Sequence, residues 1–78
     1  MPVPITLPEL GAARVVLSLW YVRPGERVYA GDRVLEVLIP GATYDVSAPA
    51  TGTIRERLAL ANDPLTRGQV LGTIDPDE

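Results

Sequence analysis

The sequence predicts an all-β fold made of two similar halves, and three observations carry that expectation. Valine, isoleucine and threonine, which suit a pleated strand, supply 19 of the 78 residues. Eight prolines and seven glycines punctuate the chain. They fall roughly every six to ten residues, the spacing of short strands cut by turns. A shift of 37 residues then lays Gly31 on Gly68, Val34 on Leu71, Val37 on Ile74, Val28 on Leu65 and Leu17 on Ile54. Tyr21 falls on Leu58 at the same offset, and Gly25-Glu26 falls on Asn62-Asp63, both pairs suited to turns. The half-repeats run over about 14–37 and 51–74. Related by a pseudo-twofold, they would close a small β structure with its apolar faces inward.

Taken in order, residues 3–7 are expected as an edge strand, because Pro2, Pro4 and Pro8 exclude a central one. Residues 12–23 form the longest run free of Pro and Gly. Their β-branched and aromatic content, with Leu17, Leu19 and Tyr21 alternating against Ser18 and Trp20, favours a long strand over a helix. Arg23-Pro24-Gly25-Glu26 turns that strand, Val28-Tyr29 is a short strand, and Ala30-Gly31-Asp32 turns again. Residues 33–38 and 43–46 are expected as a hairpin. Pro40-Gly41 suits the two central positions of a type II turn, proline fixing φ and glycine supplying a positive one. Ala48-Pro49-Ala50-Thr51-Gly52 crosses to a second long strand over 53–60. Asn62-Asp63-Pro64 turns it, Leu65-Thr66 is short, Gly68 turns, and 70–74 closes. Asp75-Pro76-Asp77-Glu78 is expected to be an acidic, frayed tail.

The length allows one domain over 1–78, since either half alone is too short for a core. Seven cationic and ten acidic residues leave a net charge of −3, which argues against nucleic acid as a partner because that needs a basic stripe. The chain has neither cysteine nor histidine. Disulfides, thiolate or imidazole metal sites, cysteine nucleophiles and histidine-based triads are all excluded. No apolar run approaches about 18 residues and no signal-peptide pattern opens the chain, so a cytoplasmic monomer without membrane contact is expected. All seven cations are arginine.

No constellation for catalysis emerges, and the chain is expected not to be an enzyme. Asp75, Asp77 and Glu78 read as a solvated end, and Glu56 between Arg55 and Arg57 as an outer strand face. Ser18 and Ser47 have no histidine to activate them. Gly25, Gly31 and Gly41 stand at turn spacing and form no phosphate loop. Arg14, Arg23, Arg27 and Arg33 are balanced by four acids in the same half. Adjacent residues of a strand face opposite ways, so one of Trp20 and Tyr21 belongs to the core and the other to the surface.

Several phrases resemble the lipoyl/biotinyl domain family, and most closely the lipoyl domains of 2-oxo acid dehydrogenase acyltransferase components. They are Ile5-Thr6-Leu7-Pro8-Glu9-Leu10-Gly11 and Trp20-Tyr21-Val22-Arg23-Pro24-Gly25-Glu26-Arg27-Val28-Tyr29-Ala30-Gly31-Asp32. Ala48-Pro49-Ala50-Thr51-Gly52-Thr53-Ile54 and Gly68-Gln69-Val70-Leu71 follow in the family's order, so that the resemblance covers residues 5 to 75. It implies a barrel-sandwich hybrid of two small antiparallel sheets. It also implies a lysine at the tip of the central hairpin, acylated by lipoic acid or biotin. The matching stretch here is Leu38-Ile39-Pro40-Gly41-Ala42, with Gly41 at the lysine position and no lysine anywhere in the chain. A guanidinium stays protonated and is a poor acyl acceptor, so no arginine replaces it.

The expectation is therefore a lipoyl-like domain without a cofactor, acting through protein contact. Residues 37–44 carry no charge, although a hairpin tip is exposed, and apolar groups at such a place suggest a contact surface. Leu38, Ile39, Pro40, Gly41 and Ala42 are the candidate contact residues, and Leu60 extends the patch if its turn lies nearby. The competing reading has Leu38 and Ile39 folding back onto the N-terminal segment. An alternative function is a structural piece of a membrane-fusion or efflux adaptor, whose second half Val46-Ser47-Ala48-Pro49 through Gly68-Gln69-Val70-Leu71 resembles. Enzymes of the 2-oxo acid dehydrogenase type, or the ligases and lyases that recognise lipoyl domains, are the partners the resemblance implies.

Overall fold

The computed structural model describes residues 1–77, so Glu78 of the expected tail lies outside the described residues. Eight strands and no helix are present among them: β1 (Val3–Thr6), β2 (Val15–Trp20), β3 (Arg27–Val28), β4 (Arg33–Ile39), β5 (Ala42–Ser47), β6 (Gly52–Arg57), β7 (Pro64–Leu65) and β8 (Val70–Pro76). They form two four-stranded antiparallel sheets, ordered β5-β4-β2-β7 and β1-β8-β6-β3. The all-β sandwich expected from the sequence is the fold observed.

The offset of 37 residues exchanges the sheets. It carries β2, β3 and β4 onto β6, β7 and β8, and the hydrogen bonds follow. Gly25 N–H donates to the Ile54 carbonyl at 2.8 Å, and Asn62 N–H donates to the Leu17 carbonyl at 2.8 Å. Gly31 N–H reaches the Ala48 carbonyl at 2.9 Å, and Gly68 N–H the Leu7 carbonyl at 2.9 Å. Each half also slips by a residue at the same place, between Leu17 and Leu19 in one and between Ile54 and Glu56 in the other. Asn62 holds the only positive φ among the described non-glycine residues, 74°, at the position where the other half has Gly25 at 91°. Asparagine tolerates the left-handed region better than most side chains, so the turn survives the exchange.

The inward side chains of both sheets make one core. Ile5, Leu17, Leu35, Ile54, Leu71 and Ile74 are its largest fully buried members. Trp20 completes it by reaching across the sandwich, its ring covering Gly72 and its indole N–H donating to the Ala59 carbonyl at 2.8 Å. Tyr21 lies on the outer side, as alternation requires. Its hydroxyl donates to Asp45 at 3.0 Å and Glu36 at 3.3 Å, and the Arg33 guanidinium lies over its ring.

Three expectations change. The long strands over 12–23 and 53–60 shrink to β2 and β6. Beyond β6, the N–H groups of Leu58 and Ala59 both converge on the Leu71 carbonyl, which ends the ladder. The acidic tail is not frayed through Asp77. β8 continues to Pro76, the Asp77 N–H donates to the Thr51 carbonyl at 3.2 Å, and Arg27 grips the Asp77 carboxylate with both terminal nitrogens. Asp75, read as part of a free acidic end, pairs with Arg55 at 3.4 Å.

Candidate functional site

The hairpin β4–β5 closes with Ile39 opposite Ala42, leaving Pro40-Gly41 as a two-residue turn. Gly41 has φ 78°, the value that the second central position of a type II turn requires. Proline pre-sets the first position and glycine relieves the second, so the turn is specified by two residues that leave no functional group at the tip.

Alternation along β4 decides what the hairpin shows. Leu35 and Val37 point inward and are fully buried, whereas Leu38 points outward and remains 44% exposed. Ile39, on the inward side at the end of the core, is half-buried and packs against it. Of the two apolar residues singled out from the sequence, then, Leu38 stands out and Ile39 folds back. Pro40, Gly41 and Ala42 are exposed. Leu60 is exposed as well, but the groove at the tip is lined by other residues.

That groove has a volume of about 360 Å³ and is lined by Arg14, Val16, Leu38, Ile39 and Pro40. Register explains its composition. Val16 pairs with Pro64 on one side and with Leu38 on the other, and Leu38 pairs with Thr43, so one uncharged row crosses all four strands. Sequence reasoning missed Arg14, Val16 and Pro64. The alternation of Val16 between buried Val15 and Leu17 was available as a signal, but the row it belongs to exists only once β7, β2 and β4 are side by side.

Arg14 is exposed and makes no hydrogen bond or ion pair with any described residue. A second, smaller hollow of about 220 Å³ lies between the loop after β1 and the end of β7. Arg67 and Glu9, both among its lining residues, pair at 2.7 Å. The Gly11 amide and then the Arg67 guanidinium hold the Glu9 carboxyl below its ordinary value. This hollow is a tied-down loop. The hairpin groove is the open one.

The biotin/lipoyl family model, described as "Biotin-requiring enzyme", matches residues 3–74. Over 78 residues the chain is 31% identical to the dihydrolipoyllysine-residue acetyltransferase component of the acetoin cleaving system of Cupriavidus necator, covering 97% of this chain and 21% of that protein. It is 29% identical over 75 residues to the lipoamide acyltransferase component of the branched-chain alpha-keto acid dehydrogenase complex of Bacillus subtilis, covering 94% of this chain and 18% of that protein. The chain thus spans about a fifth of the length of the curated relatives it matches. The solution structure of the lipoyl domain of the 2-oxoglutarate dehydrogenase complex from Azotobacter vinelandii shares the fold. Its TM-score is 0.73 at 20% identity, over 100% of this chain and 99% of that one. These relatives are acyltransferase components, and the adaptor reading is not favoured.

Proposed function

The chain belongs to the biotin/lipoyl domain family, close to the lipoyl domains of 2-oxo acid dehydrogenase acyltransferases, and from that premise we propose that it works as a protein-docking module without a covalent arm. The observation that carries the reading is the tip itself. An amide-linked lipoyl or biotinyl group needs a side-chain amine at an exposed turn. The residue at the matching position is Gly41, and the chain holds seven arginines and no lysine. The backbone agrees with the sequence. An added Cβ at Gly41 would meet nothing within 4 Å, but the φ of 78° is one that side-chain-bearing residues rarely adopt. The residues present at the tip do not fit the group.

What stands in its place is apolar. Leu38, Val16 and Pro40 border a groove beside the turn, where an exposed apolar surface favours contact with another protein. The partner class follows from the family. It is an enzyme that handles lipoyl domains, met here without acyl transfer.

The test is the intact mass of the chain purified from its own host, and again after incubation with a lipoate–protein ligase, ATP and lipoate. The expected result is the unmodified mass both times. A mass higher by one lipoyl or biotinyl group in either sample overturns the proposal.

A further inference from the structure

We propose that the groove beside the hairpin takes an extended apolar segment of the partner protein that carries a carboxylate, with Arg14 as the cation that receives it. The inference rests on the docking reading above and names the chemistry of what docks.

The pseudo-twofold supplies an internal reference. The offset of 37 carries Arg14, Val16, Leu38 and Pro40 onto Thr51, Thr53, Asp75 and Asp77, and carries Arg27 onto Pro64. On the β1-β8-β6-β3 sheet, the row Arg27–Thr53–Asp75 is polar and saturates itself. Arg27 holds Asp77, and Arg55 holds Asp75 at 3.4 Å. On the β5-β4-β2-β7 sheet the equivalent row is Pro64–Val16–Leu38. One architecture thus carries a closed polar face on one side and an open apolar one on the other.

The charges that border the open face select the anion. Glu36 and Asp45, paired in the next row, are engaged by the Tyr21 hydroxyl, and Asp45 also by Arg33 at 3.4 Å. Arg14 alone lines the groove with a charge and no partner among the described residues. A guanidinium beside an apolar floor pairs well with a planar carboxylate, because its stem lies on apolar surface while its fork bonds both oxygens. One cation in a chain of net charge −3 is too little for a membrane surface or a nucleic acid, which recruit several. The occupant that fits is a peptide segment with apolar side chains and one acid.

The test pans a phage-displayed library of random dodecapeptides on the natural 78-residue chain alone, and the enriched peptides are then assayed for binding to Leu38→Asp. Enriched peptides are expected to be apolar with an Asp or Glu, and to lose binding to Leu38→Asp. Arg14→Gln, and the acid-to-amide change in the peptide, should each weaken binding about fivefold, the upper end for an exposed ion pair. Combining the two should add nothing further, and Arg57→Gln should change nothing. Peptides that need Leu38 but carry no acid and ignore Arg14→Gln overturn the carboxylate inference while leaving the docking surface standing. Peptides indifferent to Leu38→Asp overturn both. Failure to enrich any sequence overturns the inference alone, since the docking reading is tested separately with whole partners.

Discussion

An ideal Cβ at Gly52 would lie 2.1 Å from the Asp75 carbonyl oxygen, and one at Gly72 would lie 2.6 Å from that of Glu56 and 2.9 Å from the Trp20 ring. At both positions the obstacle is backbone of a paired strand, which cannot step aside as a flexible side chain can. Gly52→Ala and Gly72→Ala are each expected to cost about 1–3 kcal/mol in urea denaturation. Gly41→Ala meets no atom and is expected to cost about 1 kcal/mol, from its left-handed φ alone. Glu9 makes a different prediction. Its folded carboxyl is held below its ordinary value of 4.5 by the Gly11 amide and then by Arg67. The stabilisation is therefore present above that value and lost as pH falls through the lower folded one. Denaturation midpoints measured from neutrality down through pH 4.5 and below should fall less steeply for Glu9→Gln than for the natural chain. Equal slopes would show that the Glu9 contacts do not act in solution.

At the scale of the element, the hairpin separates two neighbouring residues that look alike in the sequence. Leu38 faces out and Ile39 packs on the core, so Leu38→Asp should leave the thermal midpoint within a few degrees, a change of under about 1 kcal/mol. Ile39→Asp, which places a carboxylate against apolar neighbours, should lower it clearly further. Thermal unfolding of the two variants side by side checks this. The strands were legible because their signals are local: β-branched runs, proline at the edge of β1, and Pro40-Gly41 at the hairpin. The extents of β2 and β6 were less so. Residues 12–14 and 58–60 suit a strand as well as their neighbours do, but β4 turns back at Pro40-Gly41 before it can pair 12–14, and the N–H groups of Leu58 and Ala59 both take the Leu71 carbonyl. The bound tail was illegible for the same reason. Asp77 is an ordinary solvated acid until the fold brings Arg27 beside it, fifty residues away in sequence.

At the scale of the whole molecule, the two halves should share the stability evenly. Leu17 and Ile54 are equivalent under the offset and both fully buried. Leu17→Ala and Ile54→Ala should each cost about 2–5 kcal/mol, with similar values in denaturant unfolding. A large inequality would mean that one half folds without the other. The repeat was legible because buried positions and turn residues must recur wherever the same strand order recurs. The groove was half legible. Leu38 and the uncharged tip showed in the sequence, but Arg14, Val16 and Pro64 come from separate strands that only the sheet aligns. The central claim is that this domain docks through an apolar tip without a covalent arm, and a paired pull-down from host lysate tests it most directly. Unmodified chain and Leu38→Asp, both verified as folded, serve as baits. The account predicts an enzyme that handles lipoyl domains on the natural bait and its loss from the variant. Equal recovery on both baits, or no such enzyme on either, would contradict it.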